Sequence, residues 1–141
     1  MAFSAKSPLQ RLKTILSGLT GVQAAYEGVP ESLPYAVSAY VTLGGQDPKD
    51  IAGGLRSRWA NYRVTFAYRV GGAELTAEEA LADILDLFEA ALYADRTLAG
   101  TVESLEADWS GADEPRYVPV VGVEYREFPV MVKVKQQRNY P

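Results

Sequence analysis

The stretch from Thr76 to Gly100 constrains this chain most. Leu81, Ile84, Leu85, Phe88, Ala91 and Leu92 recur at helical spacing and draw one apolar stripe. Glu78, Glu79, Asp83, Asp86 and Glu89 lie mostly off that stripe. Thr76 followed three residues later by Glu79 reads as a capping box, and carboxylates in the first turn suit the positive end of the helix dipole. Burial of apolar area is worth roughly 25 cal/mol per Å², so a helix this amphipathic must cover an apolar surface. The rest of the chain has to supply that surface as strands.

Arg58 to Val70 is the clearest of them. Ala60, Tyr62, Val64, Phe66, Tyr68 and Val70 alternate with Trp59, Asn61, Arg63, Thr65, Ala67 and Arg69, the period of a strand with one face on a core and one in water. Tyr35, Val37, Ala39, Val41 and Leu43 set out another strand, and Val22, Ala24 and Tyr26 a short one. Ser7-Pro8 opens a first helix as N-cap and N1, Leu9, Leu12, Ile15, Leu16 and Leu19 form its stripe, and Gly18 or Gly21 ends it. After the acidic helix, Leu105, Ala107 and Trp109 share a strand face, and Ser110 to Pro115 reads as a polar turn. The segment Tyr117 to Gln137 changes phase across Glu127-Phe128-Pro129, which reads as a bulge or break with an edge position at Pro129. The order is α-β-β-β-α-β-β. It predicts an α+β fold in one domain over residues 1–141, an antiparallel β-sheet with two helices packed on one face.

Composition removes whole classes of chemistry. The 141 residues include no Cys and no His, so disulfides, zinc fingers and a Ser-His-Asp triad are ruled out. No apolar run approaches the roughly 20 residues of a membrane helix, and Gln10, Arg11 and Lys13 interrupt any signal-peptide core. The expectation is a soluble, cytoplasmic chain with no membrane association. Net charge is −4, but residues 1–70 hold eight Lys/Arg against four Asp/Glu, while residues 71–141 hold six against fourteen. Such asymmetry serves contact between surfaces, or marks two ordinary solvated faces. It lacks the dominant basic patch of a nucleic-acid reader.

No catalytic, cofactor or metal site emerges. Gly44 to Gly54 is glycine-rich but lacks the Gly-Lys-Ser/Thr ending of a phosphate loop and does not lead from a strand into a helix. Asp83/Asp86 and Glu78/Glu79 sit on a wet helix face, whereas general acid/base work needs a carboxylate in a dry pocket. Residues 44–56 read as a long loop that orders against a partner. Its expected interface residues are Asp47, Lys49, Ile51, Leu55 and Arg56, with Arg58 and Trp59 following. Arginine and tryptophan supply interface hot spots, and Arg63 and Arg69 share that strand. The bland alternative is a solvated strand face. Lys133, Lys135 and Arg138 read as charges that blunt a sheet edge.

Three phrases carry a resemblance: AAYEGVPESLPYAVSAYVTLGG at 24–45, EALADILDLFEAALYADRTLAG at 79–100, and VEYREFPVMVKVKQ at 123–136. With the order of elements, they resemble the tail terminators of long-tailed bacteriophages, and ADRTLAG at the helix exit is the most characteristic piece. The resemblance implies a structural virion protein of the tail or neck, assembled in the host cytoplasm as a homo-oligomer, a hexameric ring. Such a ring caps the tail tube, stops its growth and offers a docking surface to the head connector or stopper. DNA passes through its lumen without sequence-specific binding, and no cofactor is implied. Segment 44–56 then corresponds to the part that reaches a neighbouring ring or subunit. Sibling neck, connector or minor tail proteins share the coarse pattern. A monomeric binding module would stay monomeric at every concentration, and a carboxylate enzyme would need an acidic pocket holding a divalent ion.

Overall fold

The computed structural model describes residues 6–30, 37–50, 55–71, 74–109, 116–120 and 123–139. Its elements in chain order are α1 (Lys6–Gly18), β1 (Ala25–Glu27), β2 (Ser38–Asp50), β3 (Leu55–Arg69), α2 (Glu74–Ala94), β4 (Ser104–Asp108), β5 (Arg116–Val120) and β6 (Val123–Asn139). The strands form one sheet ordered β1-β2-β3-β6-β4, with β5 also paired to β6. All pairings are antiparallel except β1 with β2, which is parallel. The α+β expectation holds, with the sheet mixed rather than purely antiparallel and the last segment divided into a β5–β6 hairpin.

Both helices bury their stripes in one core. Leu12 and Leu16 of α1 and Leu81, Ile84, Phe88 and Leu92 of α2 meet Ala39 and Val41 of β2, Tyr62, Val64 and Phe66 of β3, and Val130, Val132 and Val134 of β6. Phe88 stands edge-on to Phe66 with ring centroids 5.2 Å apart, a favoured aromatic geometry. Helix α1 lies over the β1–β2 side of the sheet, and α2 reaches towards β4. Helix α1 ends at Gly18; Gly21, at φ +96°, lies in the turn that follows, and a Cβ there would meet Ile84 Cγ1 at 3.2 Å. Ile84 of α2 therefore packs close against the turn that follows α1, at a backbone conformation that favours glycine.

Both helix starts lie ahead of their expected caps. Helix α1 begins at Lys6, so Ser7 is inside it, and α2 begins at Glu74, so Thr76 falls within its first turn rather than capping it. The expected turn at 110–115 lies outside the described residues.

Strand β6 corrects the expected break. It pairs with β3 without interruption from Tyr125↔Arg69 to Asn139↔Leu55, and Pro129 faces Thr65 in that register. On its other flank β5 pairs with residues 123–127 and β4 with 131–135, end to end. Pro129 falls in the gap between those two ladders, a local edge where a missing N–H costs nothing. The apparent change of phase has a physical cause. Arg126 continues the helix-side face below Phe128 and Val130, buried to 7 % exposure, and its Nε donates to Glu78 Oε1 of α2 at 3.0 Å. Its guanidinium lies 5.8 Å from the Phe128 ring centroid. A buried, paired arginine stands where the pattern demands an apolar residue.

Candidate interaction surface

Residues expected to form a loop instead continue the sheet. Strands β2 and β3 remain paired from Gln46↔Ala60 to Asp50↔Arg56, after a register shift between Leu43 and Gln46. Gly44 makes that bulge possible, since a Cβ on it would lie 2.9 Å from the Asn61 carbonyl oxygen. Backbone pairing satisfies polar groups that a free loop would leave to water, and this is why the stretch holds strand geometry despite its glycines. Beyond Lys135, β6 pairs with β3 alone, so the far end of the sheet is a three-stranded arm.

That arm carries most of the expected interface residues. Asp47 is opposite Trp59, Lys49 opposite Ser57, Arg56 opposite Asp50 and Arg138, and Arg58 opposite Pro48 and Gln136. Leu55 opens β3 across from Asn139, and Ile51 lies outside the described residues. Trp59 is 42 % exposed, and Lys135 Nζ sits 5.6 Å from its ring centroid, a cation–π contact across neighbouring strands. Near the root of the arm Leu43 is exposed although its cross-strand partner Tyr62 is fully buried.

The sheet face away from the helices is less wet than alternation predicted. Trp59 is exposed there, but Ser38, Thr65 and Ala67 are buried on the same face. Tyr40 donates its phenol to Glu127 Oε2 at 2.5 Å. Burial first, and then the hydrogen bond to the Glu127 carboxylate, push its pKa up to about 12. On the helix side Tyr68 is likewise raised to about 12, by burial and then by the charge of Glu78. Lys133 and Lys135 do not blunt an edge, because β6 is flanked on both sides at those positions. Lys133 Nζ pairs with Asp108 Oδ2 of β4 at 3.2 Å, and Lys135 braces Trp59.

The ADRTLAG exit of α2 is a built turn that sequence reading marked without explaining. Leu98, Ala99 and Gly100 all take positive φ, 46°, 58° and 81°. Leu98 is fully buried, which holds the turn in place. Asp95 Oδ1 accepts from the Ala99 N–H and Asp95 Oδ2 from Arg11 Nε of α1, both at 2.8 Å. The Ala99 hydrogen bond is the main reason its carboxyl is held below the usual carboxylate range, with Arg11 adding to it. Among the described residues no group of three or more acidic side chains is placed to hold a metal ion, and no helix is long and apolar enough to cross a membrane.

No protein-family model matches the chain, and no curated protein does. Among solved structures, a chain from the virion of a native gene transfer agent particle is similar at 15 % identity with a TM-score of 0.42, covering 95 % of this chain and 99 % of that one. A likeness at that level carries no functional argument.

Proposed function

We propose that this chain is a structural, non-catalytic virion protein: the subunit of a homo-oligomeric ring that caps a phage tail tube, stops its polymerisation and receives the head connector. The observation that supports this reading most is the paired arm of β2, β3 and β6 with exposed Trp59 at its root. A terminator must bind the last ring of the tube. An arm already held by backbone pairing loses little conformational freedom on docking, unlike a loop that must be ordered. Trp59, Arg56 and Arg58 supply the residue types that dominate binding energy at interfaces. The phrases that resemble tail terminators cover β1 and the first part of β2, α2 from Glu79 through its exit turn, and β6 as far as Gln136. Ring stoichiometry of six and passage of DNA through the lumen follow from the resemblance and belong to the same proposal.

The test is tail morphology in particles made without this protein. Over-long tails that fail to join heads are expected. A chain carrying Arg56→Glu and Arg58→Glu should reproduce the defect while melting as the unaltered protein does. Tails of normal length that fail to join heads would reassign the chain to a neck role, and normal tails joined to heads would remove it from capping altogether.

A further inference from the structure

The two helices lie side by side on one sheet face and carry opposite charge. Within Lys6–Gly18, α1 has Lys6, Arg11 and Lys13 and no acidic residue. Within Glu74–Ala94, α2 has six acidic residues and no basic one. Arg11 is already tied to α2's exit through Asp95. At 100° per residue Lys6 and Lys13 lie together on the other flank of α1, away from α2, with exposed Ser17 continuing that line. On α2, Ile84 approaches Gly21 on one flank. The opposite flank, on the side where Glu78 reaches Arg126 of β6, presents Ala82, Asp86, Glu89 and Tyr93. Their spacing of four, three and four residues makes one stripe, every member of it is exposed, and Tyr93 is a large apolar surface at 41 % exposure. Arg96 sits over the Tyr93 ring, just beyond the helix end.

We infer that the Asp86/Glu89/Tyr93 flank of α2 docks on the Lys6/Lys13 flank of α1 from a second copy of this chain. The inference deepens the ring reading and rests on it. The two flanks point to opposite sides of one helical layer, so a single chain cannot join them to each other. Between copies they form a heterologous contact, the kind that closes into a ring when the rotation allows. Ala82 permits close approach, Tyr93 contributes apolar area, and the unlike charges set register and reject the reverse pairing of like flanks. The contact places helix against helix around the layer and leaves the β2–β3–β6 arm clear for another partner.

Charge reversal tests the pairing, read by native mass spectrometry of the full chain and by zero-length carbodiimide coupling in a mixture of isotopically light and heavy protein. Intermolecular coupling of Lys6 or Lys13 to Asp86 or Glu89 is expected, with Lys133–Asp108 as the intramolecular control. Asp86→Lys with Glu89→Lys, or Lys6→Glu with Lys13→Glu, should lower the oligomer fraction at least tenfold without altering the melt. All four changes in one chain should restore it. Oligomers that survive either reversal, a fourfold variant that stays dissociated, or a wild-type chain monomeric at every concentration would each overturn the inference. Normal capping by the reversed variants, with over-long tails only when the protein is missing, overturns this contact and leaves the capping reading standing. Salt-sensitive, rescuable oligomers alongside normal tails in its absence do the reverse.

Discussion

Single residues decide the joints of this fold, and Asp95 is the most connected of them. It holds the left-handed turn at Ala99 and ties α1 to the end of α2 through Arg11. Asp95→Ala should cost about 1 kcal/mol, since both partners are partly solvated and screened. The folded carboxyl is depressed, so its contribution is complete above the ordinary carboxylate value of about 3.9 and is lost as pH falls through the folded value. Denaturant melts at pH 7 and at pH 3 check this: the gap between wild type and variant should narrow in acid. Gly21 is a second such residue. Gly21→Ala forces a Cβ into positive φ and against Ile84, and the expected loss exceeds about 1 kcal/mol in the same melts. Tyr40 and Tyr68, both raised to about 12, stabilise the fold below the ordinary tyrosine value of about 10 and lose that effect as pH rises through the folded value. Spectrophotometric titration of Tyr40→Phe should lack part of the late phenolate signal that wild type shows.

At the level of elements, the arm and the β6 strand carry the consequences. Strand β3 from Arg56 to Ala60 lies between β2 and β6, so its backbone has partners on both sides, and Leu55 pairs with Asn139 of β6. Hydrogen exchange of the isolated chain should show residues 55–60 protected, and residues 46–50, on the outer strand there, protected only at amides that face β3. Uniformly fast exchange across both segments would show that the arm does not hold its pairing without a partner. Pro129 belongs to the same scale. It interrupts nothing, because it falls where β5 has ended and β4 has not begun.

In the molecule as a whole, one core joins both helices to the sheet, so it should unfold as one unit. Phe88→Ala removes a fully buried ring that meets Phe66 and should cost about 3–5 kcal/mol. Far-ultraviolet circular dichroism follows the helices and tryptophan fluorescence follows Trp59 and Trp109 on the sheet. Both should shift to the same lower midpoint.

Periodicity alone determined the elements that bury one side. The α2 stripe from Leu81 to Leu92 and the β3 alternation from Ala60 to Tyr68 were legible because a single apolar face leaves a regular imprint on sequence. Of the expected interface residues, Arg58 and Trp59 were legible as strand, whereas Asp47, Lys49, Leu55 and Arg56 looked like loop. Gly44 and Gly45 look like loop residues until a paired β3 turns them into a bulge. The central place of β6 was likewise invisible, since Lys133 and Lys135 resemble edge charges until β4 covers that flank. Arg126 hid the strand's phase because its burial depends on Glu78, 48 residues away. Local sequence records which face of an element avoids water. Which backbone lies beside it, and which charge meets a partner there, is settled only by contacts between segments distant along the chain.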